Sequence, residues 1–206
     1  EALTVLLPNE HLLINNLNLT VATGEHLLVK GESGTGKSTL MRTLAGLWLF
    51  GSGTIRTVQR EQMLFVPQRT YLPLGTLREV VLYPGHTEIA DSLIKLALEK
   101  VSLAYLADHL DTAVDWSRIL SLGEQQRIAI ARVLLLKPRW VFLDEATSAL
   151  DTRLEAQVYQ ALSELEQVTL ISVAHKPTLQ VFHKRELRLT GNGEWVCSQL
   201  NEEAAR

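Results

Sequence analysis

The chain is poor in several features that define other classes of protein. Its 206 residues include one cysteine, Cys197, so no disulfide can form within the chain and we expect a reducing, intracellular location. No stretch approaches the roughly 18 consecutive apolar residues of a membrane-spanning helix. The six histidines are scattered without the spacing of metal ligands. A net charge of −3 argues against nucleic-acid binding, which usually requires a basic stripe.

What is present is a pattern of apolar strands alternating with helices. The sequence predicts strands at 3–7, 12–21, 26–30, 54–58, 62–68, 140–145 and 168–175, and a closing hairpin at 186–200. It predicts helices at 37–50, 88–107, 121–137 and 152–165. Such alternation favours an α/β fold with a mainly parallel central sheet, an antiparallel N-terminal β part and a helical subdomain at about 71–136.

The segment "GESGTGKST" at 31–39 lies between a predicted strand and a predicted helix. It matches the phosphate-binding pattern G-x-x-x-x-G-K-[ST] of P-loop NTPases in full. Its nine residues are therefore candidate ATP ligands: Gly31, Glu32, Ser33, Gly34, Thr35, Gly36, Lys37, Ser38 and Thr39. The glycines allow the backbone N–H groups to turn toward phosphate oxygens, and the helix adds its positive end. The pattern assigns the Lys37 ammonium to the β- and γ-phosphates and the Ser38 hydroxyl to Mg²⁺.

Two acidic residues end the apolar strand "WVFLDE". Asp144 is expected at the carboxyl end of that strand, beside the phosphate loop, where it would hold Mg²⁺ through its water shell. Glu145 is a candidate general base for the attacking water. On spacing alone, Glu145 fits equally well as a solvated acid beyond a strand end.

A second glycine segment, "ILSLGEQQRIAIAR", occupies residues 119–132. Ser121 and Glu124 match the capping box S-x-x-E before an apolar run, which is a purely structural explanation. That explanation leaves Gly123 unexplained, because glycine in a first helical turn costs up to about 1 kcal/mol. A helix start with Ser and Gly is also a second receptor for phosphate.

This segment resembles the signature motif of ATP-binding cassette (ABC) ATPases, L-S-G-G-Q. Further family elements follow in order along residues 3 to 190: Gln68 resembles the Q-loop, Asp144–Glu145 the Walker B pair, "SALD" at 148–151 the D-loop, and His175 the switch histidine. The resemblance implies that Gln68 contacts ATP and Mg²⁺ and that His175 contacts the γ-phosphate. Spacing alone leaves a helix cap as the alternative for His175.

The resemblance also explains a second glycine motif without a ligand of its own. In the ABC family this motif binds the nucleotide held by the other subunit. Two copies of the chain would pack head to tail, each supplying Ser121, Leu122, Gly123 and Asp151 to its partner's ATP. Leu122 and Glu124 depart from the family's Gly and Gln, so we assign Glu124 mainly to the cap.

A finer resemblance connects "PLGTLREVVLYP" and "VDWSRILSLGE" with exporter-type half-transporters of the peroxisomal fatty-acyl type and their bacterial relatives. In these proteins a membrane domain precedes the ATPase on one chain, so we expect residues 1–206 to be the ABC ATPase domain of a longer protein. The segment Tyr71–Leu77 would then meet the membrane domain, although ordinary packing explains Tyr71, Leu72 and Leu74 as well. The implied location is the cytoplasmic face of a membrane, the inner membrane of a bacterium.

The first strand region lacks the aromatic residue that many ABC ATPases stack on adenine. Residues 3–14 offer apolar contact near Leu7 and Pro8, or His11. The sequence therefore predicts an ATPase domain that powers solute transport as a homodimer with Mg-ATP. Two alternatives remain open, a soluble ABC ATPase acting on DNA or the ribosome and a phosphate-loop kinase, but the second gives no role to "LSLGEQQR".

Overall fold

The computed structural model describes residues 1–85 and 88–200. The chain divides into two compact units, the first containing residues 1–65, 139–144 and 169 onward, the second residues 66–138 and 145–168. Among the described residues, no helix combines the length and the apolar character needed to cross a lipid bilayer. That the whole chain is one domain with a helical subdomain at about 71–136 stays a prediction.

The described residues form strands and α-helices that are numbered here along the chain. The strands are β1 (Leu3–Leu6), β2 (Leu12–Leu17), β3 (Leu27–Gly31), β4 (Gly51–Ser52), β5 (Met63–Val66), β6 (Gly75–Thr76), β7 (Ala113–Val114), β8 (Trp140–Asp144), β9 (Thr169–Val173), β10 (Arg185–Gly191) and β11 (Glu194–Gln199). The helices are α1 (Lys37–Leu44), α2 (Leu77–Leu82), α3 (Asp91–Lys100), α4 (Trp116–Ile119), α5 (Leu122–Leu136) and α6 (Thr152–Ser163).

A six-stranded sheet in the order β11-β10-β3-β9-β8-β5 forms the centre of the first unit. The four strands from β10 to β8 are parallel, and β11 pairs antiparallel with β10 as the predicted closing hairpin. All five residues of β9 are buried, which is typical of a central strand in a parallel sheet. Since β3 and β8 both end at the same edge of this sheet, it delivers the phosphate loop and Asp144 to one place.

The N-terminal strands form a separate antiparallel sheet in the order β2-β1-β4. Val5 of β1 and Ile14 of β2 are fully buried and belong to the same hydrophobic core as β3, β9 and β10. The turn between β1 and β2 carries Pro8. This hairpin therefore rests on the sheet that positions the phosphate loop.

Helix α1 ends at Leu44, whereas the sequence predicted a helix through Phe50. Gly46 adopts a left-handed backbone (φ 71°), and the N–H of Leu47 donates to the carbonyl of Arg42 at 2.7 Å. These contacts form a Schellman motif, which ends a helix by satisfying its last carbonyls. The prediction was wrong because the apolar residues after Gly46 continue the helical spacing without continuing the helix.

Two other predicted elements also differ. Residues 54–58 are rich in β-branched residues but pair with no strand in the described parts of the chain, since composition alone does not supply a neighbouring strand. The predicted helix 88–107 is divided into α3 and a 3₁₀ helix at Ala104–His109. The division lies at Ser102, whose backbone is left-handed (φ 57°) and whose carbonyl accepts an N–H from Arg127 at 2.7 Å.

The second unit is built around α5, which packs against α2, α3 and α6. Arg132 of α5 is buried and donates from Nε and Nη2 to the carbonyl of Val80 in α2. The short strand β6, which directly precedes α2, pairs antiparallel with β7. α5 is thus the element that connects the other helices of this unit.

Candidate functional site

The phosphate loop lies between β3 and α1, as its sequence pattern requires. Gly34 and Gly36 adopt left-handed backbones with φ of 82° and 95°. Gly36 is the N-cap of α1, and no side chain caps that helix start. A Cβ at Gly36 would lie 3.1 Å from the Cβ of Leu13, so only glycine fits here without strain.

Lys37 is held at this loop by the backbone. Its side chain is 6% exposed, and Nζ donates to the carbonyls of Gly31 at 2.9 Å and Glu32 at 2.7 Å. Thr35 Oγ1 also donates to the Glu32 carbonyl, at 2.9 Å. The ammonium group is therefore fixed next to the loop that the sequence assigns to phosphate.

Ser38 and Asp144 meet at the carboxyl end of β8. Ser38 Oγ donates to Asp144 Oδ1 at 2.8 Å, and Asp144 is 6% exposed. A hydroxyl and a carboxylate are hard oxygen donors of the kind Mg²⁺ takes from proteins, with waters and phosphate oxygens completing its coordination. The described residues hold no cluster of three or more His, Cys, Asp and Glu side chains suited to a metal. The pair therefore fits a magnesium ion that arrives with a nucleotide.

His175 follows β9 and is exposed. It lines a cavity of about 370 Å³ together with Lys30, Gly31, Glu32 and Arg188. The structure thus brings His175 to the first residues of the phosphate loop. Pro8 is an exposed turn residue, and its contact with adenine stays a prediction.

Gln68 and Glu145 are paired in the second unit. Gln68 Nε2 donates to Glu145 Oε2 at 2.9 Å. Glu145 has a left-handed backbone (φ 51°), an uncommon conformation for a residue with a side chain. The carboxylate of the candidate base is thus oriented by the candidate Q-loop residue.

The start of α5 is closed by the predicted capping box, which is confirmed. Ser121 is the N-cap, and Glu124 Oε2 accepts from the backbone N–H of Ser121 at 2.8 Å and from its Oγ at 2.6 Å. The Tyr105 hydroxyl donates to the other carboxylate oxygen of Glu124. These bonds, first from Ser121 and then from Tyr105, hold the pKa of Glu124 below its usual value.

Around this cap, Leu122 is 48% exposed. A Cβ at Gly123 would lie 3.4 Å from the carbonyl oxygen of Ala149, an ordinary van der Waals distance, so the helix start lies beside the 148–151 loop. Asp151 ends that loop and caps α6 by accepting from the Leu154 N–H at 2.9 Å.

Gln126 is a buried residue to which sequence reasoning gave no role. It is fully buried in α5 and bonds to Gln68, Ser148 and Ala149. The sequence does contain an indication of this role. Gln126 lies on the same i, i+4, i+7 face of the helix as Ile130 and Val133, where a buried helix normally carries apolar residues.

The segment after Gln68 has two strongly exposed apolar side chains. Tyr71 is 60% exposed and Leu74 is 78% exposed, whereas Leu72 is buried. Tyr71 contacts Tyr83 edge to face at a centroid distance of 5.2 Å. Of the predicted membrane-domain contacts, Leu72 therefore serves the core, and the other two remain available.

Comparison with known proteins identifies the family. The model of the ABC transporter family matches residues 14–148. An ABC transporter ATP-binding protein of Synechocystis is 50% identical over 98% of this chain and 31% of its own length. Human ATP-binding cassette sub-family D member 3 is 36% identical over 95% of this chain and 31% of its own length. The chain thus spans about a third of these relatives.

A solved structure supports the same conclusion. A bacterial Atm1-family ABC exporter with ATP bound matches the whole chain and 38% of its own, with a TM-score of 0.83 and 26% identity. The predicted P-loop NTPase fold class and the predicted family resemblance are both confirmed. The chain belongs to the ABC transporter family and is similar, over its whole length, to part of an exporter of that family.

Proposed function

We propose that this chain binds and hydrolyses Mg-ATP between two head-to-tail copies and thereby powers the transport of a solute across a membrane. The observation that carries the proposal is the hydrogen bond of 2.8 Å from Ser38 Oγ to Asp144 Oδ1. Ser38 directly follows Lys37 in the sequence, and Lys37 is buried. A fixed cation and two magnesium-type oxygen donors at a helix start are what triphosphate binding requires.

Nucleotide binding falls to the phosphate loop. The backbone N–H groups of residues 31–39 bind phosphate oxygens, and Lys37 turns from the loop carbonyls toward the β- and γ-phosphates. Ser38 and Asp144 would hold Mg²⁺, with Gln68 as a further ligand. When bound, the ion neutralises charge that develops on the phosphates.

Glu145 acts as the general base. Its carboxylate takes a proton from the attacking water, and the Gln68 amide holds the carboxylate in place for that step. His175 contacts the γ-phosphate and keeps the water in line with it. Catalysis is then mainly positioning and charge stabilisation.

The partner copy completes each site. Ser121 and Gly123 of one copy present the α5 start to the γ-phosphate held by the other, with Leu122 and Asp151 beside them. The arrangement is two-fold, so both sites form together. ATP stabilises the dimer, and hydrolysis releases it.

The segment Tyr71–Leu77 meets the membrane domain. Its support is the exposure of Tyr71 and Leu74, two apolar side chains that a partner surface would cover. We therefore propose that the chain acts at the cytoplasmic face of a membrane, the inner membrane of a bacterium.

The first experiment measures the molar mass of the Glu145→Gln variant by light scattering, with and without Mg-ATP. The substitution keeps ATP binding but removes the base, so the ATP-bound dimer should persist. We expect about twice the monomer mass of 23.0 kDa with ATP and the monomer mass without it.

A Lys37→Met substitution in the same variant is the control and should keep the protein monomeric. Monomers of Glu145→Gln with ATP demonstrably bound would contradict the shared site. Restoring a dimer with Leu122→Gly would then identify Leu122 as the cause, and undiminished hydrolysis by Glu145→Gln would rule out Glu145 as the base.

A further inference from the structure

Gln126 uses its whole amide to connect separate segments of the second unit. Nε2 donates to the carbonyl of Gln68 at 3.1 Å and to Ser148 Oγ at 3.2 Å. Oε1 accepts from the N–H of Ala149 at 3.0 Å. One side chain of α5 therefore holds Gln68 and the 148–151 loop at the same time.

Packing does not require an amide at this position. Gln126 is 0% exposed, and its neighbours on the same face of α5, Ile130 and Val133, are apolar and equally buried. A buried amide is tolerated only when its hydrogen bonds are made, and a methionine of similar volume would fill the space without that demand. The three bonds, rather than the volume, are what glutamine contributes here.

The segments that Gln126 connects each carry a residue of the proposed site. Gln68 bonds to the base Glu145 through its own side chain, and the Ser148 N–H donates to the Glu145 carbonyl at 3.1 Å. Ala149 lies against Gly123 at the helix start. The chain of contacts thus runs from Gln68, which lies three residues before Tyr71 in the sequence, through Gln126 to the 148–151 loop and the start of α5, and Gln68 itself contacts the base.

We infer that Gln126 is a positioning residue that couples the docking segment Tyr71–Leu77 to the base Glu145 and to the 148–151 loop. The inference rests on the proposed function. It follows that a displacement of the backbone at Gln68 is passed to Ala149 through one rigid side chain. The phosphate loop itself lies outside these contacts, so Gln126 affects the rate of hydrolysis more than the affinity for ATP.

The test compares the Gln126→Met variant with the unchanged protein, each assayed as the full-length protein. We expect kcat to fall about tenfold or more, as when one positioning interaction is lost, while KM for ATP changes less than about twofold. Thermal unfolding is measured in parallel. A purely structural role would lower the unfolding temperature but leave kcat unchanged at temperatures where the variant is folded.

Gln157→Met is the matched control. Gln157 also donates its amide twice, to the Lys100 carbonyl at 3.3 Å and to Ser102 Oγ at 3.2 Å, but it contacts none of the proposed site residues. Its kcat should equal that of the unchanged protein. Should Gln126→Met fail to fold, Gln126→Leu decides, because it is also neutral and apolar and lacks both the amide donors to Gln68 and Ser148 and the acceptor for Ala149.

Hydrogen exchange tests the coupling directly. In the unchanged protein, ATP should alter protection of residues 68–77 and 145–151 together, and in the variant only one of the two segments. A kcat equal to the unchanged protein, or joint protection in the variant, would overturn the inference. If the unchanged protein hydrolyses ATP and Glu145→Gln does not, such a result counts against Gln126 alone and leaves the proposed function intact.

Discussion

The starts of α1 and α5 form an instructive pair, because both carry a glycine and both are assigned to phosphate. α1 begins after Gly36, and no side chain caps its first N–H groups. α5 begins after Ser121, where the Glu124 carboxylate already accepts from the serine N–H and hydroxyl. A phosphate at α1 would lie beside the fixed Lys37 ammonium. A phosphate at α5 would compete with the Glu124 carboxylate for the N–H and hydroxyl of Ser121.

This difference assigns an order to the two contacts. The α1 start has the geometry and the charge to bind a triphosphate by itself. The α5 start is self-satisfied, so the Ser121 hydroxyl must leave Glu124 before it can donate to a phosphate. In the proposed dimer, the nucleotide therefore binds first to the phosphate loop, and the partner's Ser121 is the later contact.

The largest expected effect is on kcat/KM, and it differs between the two helix starts because only α1 has a buried ammonium group beside its phosphate site. Lys37→Met should lower kcat/KM for ATP by about 1,000-fold, because the buried ammonium is lost, and Ser121→Ala by about tenfold to 100-fold, because one neutral donor is lost. Steady-state kinetics of both variants checks the order. Lys95→Met, an exposed lysine on α3, is the control, and a larger loss for Ser121→Ala would reverse the comparison.

The glycines at the two helix starts should have opposite effects on the free energy of unfolding when each is replaced by alanine. Gly36→Ala should lower the free energy of unfolding by about 1–3 kcal/mol, because its backbone is left-handed and its Cβ would press on Leu13. Gly123→Ala should raise it by up to about 1 kcal/mol, because Gly123 is helical and a Cβ there makes an ordinary contact.

Urea unfolding of both glycine variants gives the two values. If Gly123→Ala also loses ATP-driven dimerisation while gaining stability, Gly123 is present for close approach to the partner's phosphate. Equal destabilisation by the two substitutions would mean that both glycines are needed for their backbone conformation and not for contact with a phosphate.

Local sequence patterns predicted local conformation and missed what distant contacts determine. The strand–loop–helix around residues 31–39, the strand end at Asp144 and the Ser121–Glu124 cap are each coded within a few residues, so their patterns were sufficient to predict their conformation. The end of α1 was missed because apolar spacing continues beyond the left-handed Gly46. The bonds of Gln126 and the Tyr105–Glu124 contact join residues 19 to 58 positions apart, which no local pattern reports.

A pH dependence tests whether the Glu124 carboxylate stabilises the α5 start. Its pKa is lowered in the folded protein, so its contribution is fully present above the ordinary value of 4.5 and is lost as the pH falls through the lowered pKa. Glu124→Gln should therefore be less stable than the unchanged protein at pH 7, and the difference should shrink below pH 4.5.

Denaturant unfolding of both proteins at several pH values measures that difference. Glu99→Gln, which removes one exposed carboxylate from α3, provides the control. A difference that stayed constant down to acid pH would mean that the side chain acts by packing and not by charge.

The smallest expected effect concerns Tyr105, which reaches α5 from the 3₁₀ helix Ala104–His109. Burial, followed by its hydrogen bond to Glu124, raises the pKa of Tyr105 to about 12. Tyr105→Phe should lower the free energy of unfolding by no more than about 1 kcal/mol, because one partly exposed hydrogen bond is lost. It should also raise the pKa of Glu124 toward its usual value, which a carbon-13 titration of the carboxyl group would detect. With Tyr71→Phe as the control, an unchanged Glu124 titration would mean that Ser121 alone fixes the carboxylate, and the competition at α5 would then be set entirely within the capping box.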